Sequence, residues 1–138
     1  MYLDAQNSFS RDQAVTSSAA STDVIDLGSA RSIAVAGKPL DIMVTVTEAA
    51  TASGAATVTF ALEESSDNST YTALISTAAI GKATLALGYQ LSLRIPASQT
   101  KRYLRVYYTV ATGPLTAGKF SAGLVEGIQA NTQYSDFT

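Results

Sequence analysis

The sequence predicts an all-β domain, a jelly-roll or Greek-key sandwich of about seven to eight strands with an extended N-terminal arm and a C-terminal tail. Three observations predict it. Several short segments alternate apolar and polar residues at a period of two, which is how a strand with one buried face is written. Residues that favour turns separate these segments at short, fairly regular intervals. No stretch sustains the 3.6-residue period of a long amphipathic helix. At 138 residues the chain is near the commonest domain length, and it buries roughly 68% of its unfolded surface if it folds as one unit.

Residues 1–23 are polar, with apolar anchors at Tyr2, Leu3, Phe9 and Val15 that follow neither period. They are expected to form an extended arm. Ser10 is placed to cap a short helix over residues 11–18, but Thr16-Ser17-Ser18 is a poor helix former. The body is expected over residues 24–126, opening with short strands over 24–27 and 33–35. The clearest strand runs over 40–47, with Leu40, Ile42, Val44 and Val46 on one face and Asp41, Met43, Thr45 and Thr47 on the other. After a Ser53-Gly54 turn, residues 56–63 repeat the pattern, burying Val58, Phe60 and Leu62 and exposing Thr57, Thr59 and Glu63. The two are read as adjacent strands.

A polar loop over 64–70 leads to a strand over 71–77 with less clearly sorted faces. Residues 90–95 alternate again until Pro96, which has no N–H to donate to a ladder. The longest and most aromatic strand runs over 102–111. Leu104, Val106, Tyr108 and Val110 share one face, and Tyr103, Arg105, Tyr107 and Thr109 share the other. A Gly113-Pro114 turn passes to a last strand over 119–125, and residues 127–138 form a polar tail that carries Ile128, Tyr134 and Phe137.

The composition argues against several functions. Lys and Arg total 9 against 11 Asp and Glu, for a net charge of −2, so there is no basic footprint for direct nucleic-acid binding. No apolar run approaches the roughly 20 residues of a membrane span. Residues 1–4 resemble no signal peptide, so the protein is expected to stay where it is made. With no His and no Cys, Ser-His and Cys-His nucleophiles, thiolate metal sites and disulfides are unavailable. Only carboxylate chemistry remains, and no local spacing singles out a catalytic pair. No catalytic residue, metal ligand or cofactor is therefore expected. Glu63, Glu64, Asp67 and Asn68 lack the order of a calcium loop and read as a solvated turn. Asn68-Ser69-Thr70 matches a glycosylation acceptor, but that has meaning only on a secretory route. Ala36-Gly37-Lys38-Pro39 lacks the upstream glycine and the hydroxyl residue of a phosphate loop, and reads as a turn.

The row Tyr103, Arg105, Tyr107 combines residue types enriched at the energetic centres of protein interfaces. The alternative is that Arg105 simply pairs with a carboxylate on a neighbouring strand, or that the N-terminal arm covers this face. Tyr2, Leu3, Phe9, Tyr134 and Phe137 join the row as expected contact residues, because polar ends dotted with large apolar residues can order on a neighbour.

Residues 3–10, Val24-Ile25-Asp26-Leu27-Gly28 and residues 102–108 together resemble a family of bacteriophage capsid cement (decoration) proteins, of the short-tailed Bordetella phage type. The length, the lack of Cys, and a polar loop with Asp67 followed by Tyr71 and Leu74 fit the same family. The resemblance implies a jelly-roll domain on the outer surface of the virion capsid. It would bridge subunits of the major capsid protein, stabilise the shell, and associate with itself as a dimer or trimer after assembly in the host cytoplasm. It implies no enzymatic role. The competing reading is a carbohydrate-binding or adhesin-type sandwich using Tyr89, Tyr103 and Tyr107 as a platform, weakened by the absence of Trp. A carboxylate hydrolase would require two acidic side chains facing each other across a cleft.

Overall fold

The computed structural model describes residues 4–34 and 39–126. A single 3₁₀ turn, Ala5–Asn7, is capped by Asp4 and leads into ten described strands. These are β1 (Ser8–Ala14), β2 (Ala19–Ala20), β3 (Ile25–Asp26), β4 (Asp41–Thr51), β5 (Thr57–Ser65), β6 (Thr72–Ser76), β7 (Ile80–Gly81), β8 (Gln90–Arg94), β9 (Tyr103–Ala111) and β10 (Ala117–Val125). They form a β-sandwich. One sheet has the order β1-β10-β4-β8; the six-stranded sheet has the order β2-β9-β5-β6, with β3 also on β9 and β7 also on β5. All described strand pairs are antiparallel.

The alternation read from the sequence puts the core between the sheets. Ile42, Val44, Val46, Phe120, Ala122 and Leu124 line the four-stranded side, opposed by Val58, Phe60, Leu62, Leu104, Val106 and Tyr108. Three rings lock the layers together. Phe60 meets Tyr108 edge-on at 5.6 Å and Phe120 edge-on at 5.3 Å, while Tyr108 and Phe120 stack at 5.7 Å. Each such pair is worth about 0.5–1.5 kcal/mol beyond the area it buries.

Four expectations are corrected. The strands over 40–47 and 56–63, read as adjacent, lie in opposite sheets as β4 and β5. Each has one apolar stripe, and crossing between the layers lets the two stripes face each other. The N-terminal arm is corrected over residues 8–20. β1 is an outer strand of the four-stranded sheet and β2 pairs with β9, while Phe9 and Val15 are 0% and 1% exposed. No helix forms over 11–18. The strand expected over 33–35 is absent at 33 and 34; Arg31 instead bridges Thr100. Met43, read on the face opposite the apolar stripe of a strand with one buried face, is 2% exposed, with the small residues Gly123 and Ser92 as its cross-strand partners.

A buried polar chain ties β1 to the other sheet. The Tyr108 hydroxyl donates to Ser10 Oγ at 2.8 Å, and Ser10 Oγ donates to Gln13 Oε1 at 2.7 Å. Gln13 in turn receives the Thr22 N–H at 2.9 Å and donates to the Ala20 carbonyl at 2.9 Å.

A braced tyrosine and arginine face on the six-stranded sheet

On β9 the even residues Leu104, Val106 and Tyr108 point into the core, so Tyr103, Arg105 and Tyr107 point outward, two residues apart. All three are half-buried. The β5–β9 register sets Glu63 opposite Arg105. Arg105 Nε donates to Glu63 Oε2 at 2.6 Å, with the two side chains only 23% and 17% exposed. The guanidinium lies 3.8 Å from the Tyr71 ring centroid and 5.3 Å from that of Tyr107. A cation held between aromatic faces and a carboxylate is fixed in place, each ring contact contributing about 0.5–1 kcal/mol where solvent still reaches.

Tyr71 reaches this cluster because of the turn before it. The Asp67 carboxylate accepts the N–H groups of Ser69 and Thr70 at 2.9 and 3.0 Å and the Ser65 hydroxyl at 2.8 Å. Those bonds, Thr70 first, hold its carboxyl down at about 2. Asn68 takes a left-handed φ of 57°, and its side-chain oxygen accepts from the Tyr71 hydroxyl. Burial raises the Tyr71 hydroxyl above its ordinary value, while nearby Arg105 pulls it the other way.

A second pair braces the end of the row. Arg102 grips Asp26 on β3 through two bonds of 2.7 and 2.9 Å, and its guanidinium stands 4.9 Å from the Tyr103 ring. Asp26 also accepts the Gly28 N–H at 2.8 Å, where Gly28 has a φ of +78°. The bond from Arg102, then that from Gly28, lowers the Asp26 carboxyl to about 2.

The structure therefore gathers Tyr103, Arg105 and Tyr107 on one face, and also shows the carboxylate partner weighed as the alternative. Phe9 is corrected from contact residue to core residue. Tyr2, Leu3, Tyr134 and Phe137 lie outside the described residues. The three-tyrosine platform does not assemble: Tyr89 packs against the core beside β8 and its carbonyl accepts from Val46 on β4, in the sheet opposite Tyr103 and Tyr107. Glu63, Asp26, Asp41 and Glu48 each face a cation, and among the described residues no three carboxylates gather as a metal site. The sequence reads Tyr71 as the start of a strand with unsorted faces and not as part of the Arg105 cluster; the strand begins at Thr72, and the turn before it places the Tyr71 ring. Sequence reasoning missed Glu63 as the particular partner, because the pair is 42 residues apart.

The fold and the face together define a β-sandwich that presents a rigid Tyr–Arg surface of the composition found in protein contacts. The chain belongs to the Bbp16 family, a family of Bordetella phage proteins, whose profile matches residues 9–124. No curated protein matches the sequence.

Proposed function

We propose that this protein is a structural cement protein of a phage head, binding the outer surface of the shell and bridging neighbouring major capsid protein subunits. The observation that carries the reading is the family match, which spans the sandwich from β1 into β10. A stiff body supports it: the layers are joined by the three-ring cluster and the buried Tyr108–Ser10–Gln13 chain, so a load applied to one sheet is transmitted to the other. The Tyr103, Arg105, Tyr107 face supplies contact area at low entropic cost, because its side chains are already held in place before any partner arrives. Self-association into dimers or trimers would place two or more such faces on one particle. A modest contact repeated over a symmetric shell then adds up through multiplicity.

The test is deletion of the gene from the phage, followed by heating of the purified particles. The expected result is heads that assemble but release their DNA at a lower temperature, with wild-type resistance restored by adding back the purified protein. Deleted particles that tolerate heat as well as wild type would overturn the proposal.

A further inference from the structure

We infer that the outward face of the six-stranded sheet docks an uncharged protein surface, so that its binding is nearly independent of salt. This deepens the cement reading and rests on it. Both arginines on the face are already neutralised within the chain: Arg105 by Glu63 at 2.6 Å and Arg102 by Asp26 at 2.7 and 2.9 Å. The Arg105 pair is sheltered, with side chains 23% and 17% exposed, whereas the Arg102–Asp26 pair stands in solvent at the end of the row but is internally balanced. Arg105 has one ring centroid at 3.8 Å and another at 5.3 Å, which leaves little room for a carboxylate from outside. Asp67, at the rim, gathers three donors of its own turn on Oδ1. The strand positions beside Tyr107 are neutral and small: by register, Thr57, Thr59 and Ala61 on β5 and Thr109 on β9, with Lys101 and Glu64 beyond the Tyr103 end of the row.

A surface of this kind complements one of methyl groups, amides and hydroxyls. An acidic or basic partner would have to lose hydration without gaining an opposite charge, which opposes binding. The partner patch on the shell is therefore uncharged where it meets Tyr103 and Tyr107. The tyrosines supply the apolar area, while Arg105 stands over the Tyr107 ring and Arg102 over that of Tyr103.

The experiment uses heads assembled without this protein, with binding of the purified full chain measured by sedimentation. For the wild-type chain, affinity should change less than about twofold between about 50 mM and about 500 mM NaCl. A loss of tenfold or more over that range would overturn the inference, since it would reveal ion pairs across the interface. Glu63→Gln frees the Arg105 charge and should weaken binding roughly tenfold, because the face would then bury an unpaired cation. Stronger binding by this variant would point to an acidic patch and overturn the inference. Tyr103→Ser with Tyr107→Ser should abolish binding while leaving thermal unfolding cooperative; retained binding would place the contact elsewhere. The salt series requires no variant to fold. If the wild-type chain fails to bind these heads at any salt concentration, the cement reading itself falls, a different outcome from salt-sensitive binding.

Discussion

Removing either end of the buried Tyr108–Ser10 hydrogen bond should cost unequal amounts. Both residues are 0% exposed. In Tyr108→Phe the donor is lost, but Ser10 Oγ still donates to Gln13 Oε1, so the expected loss is about 1 kcal/mol. In Ser10→Ala the Tyr108 hydroxyl stays in the interior with no acceptor, and the desolvation penalty of that group raises the loss to about 2–3 kcal/mol. Adding Tyr108→Phe to Ser10→Ala should then recover part of this loss, because the stranded hydroxyl is gone. Alkaline pH provides a second axis. Burial pushes the Tyr108 hydroxyl up from 10.0 to about 12, against a weaker pull from its bond to Ser10. The unfolded chain therefore loses this proton first, and stability present in full below pH ~10 drains away as pH rises towards 12, by about 2–3 kcal/mol. Urea unfolding of the wild type and three variants at neutral pH, then between pH 9 and 12, measures both effects. Each kcal/mol corresponds to roughly 4 °C in a matching thermal melt. The reasoning fails if Ser10→Ala costs no more than Tyr108→Phe, or if Tyr108→Phe loses as much stability in alkali as the wild type.

Two further outcomes are expected. Thr112 is a β-branched residue at a φ of 61° in an exposed turn, so Thr112→Gly should stabilise the fold by about 1 kcal/mol in the same unfolding assay, and a net loss would show that no strain is stored there. The Asp26 and Asp67 carboxyls sit at about 2 rather than 3.8, so their contribution is complete above pH ~4 and disappears as pH falls through 2; the Gly28 and Thr70 amide resonances should titrate with midpoints near 2, and midpoints near 3.8 would refute the bonds assigned to them.

The strands that could be read from the sequence are those whose period is unbroken. β8 and β9 keep a two-residue alternation from end to end, and β5 keeps it from Thr57 to Glu63; the sheets bury or half-bury the apolar residues it selects. β1 was missed for a physical reason. Its pairing with β10 shifts register twice, between Ser8 and Ser10 and again between Ser10 and Gln13, and Asp12 takes a φ of 48°. Such bulges put successive polar residues on one side, so a short strand reads as an irregular arm. The tyrosine and arginine face was half legible. The outward row on β9 followed from the alternation, but its bracing depended on Glu63 and Tyr71, placed by a strand pairing and a turn that no local pattern encodes.

The limits of the family match sharpen the separate roles of the chain's parts. It begins at Phe9 and ends at Leu124, both members of the core cluster. The matched span thus runs from within β1 into β10 and takes in strands of both sheets, with Phe9 at its start buried in the core between them. On the outward face Arg105 and Glu63 depend on each other, because removing either leaves the half-buried charge of the other unpaired. A partner that relied on either charge alone would have to break the pair, whereas one that packs on the tyrosines leaves it intact. That asymmetry is the ground for proposing recognition by shape and apolar area over recognition by charge.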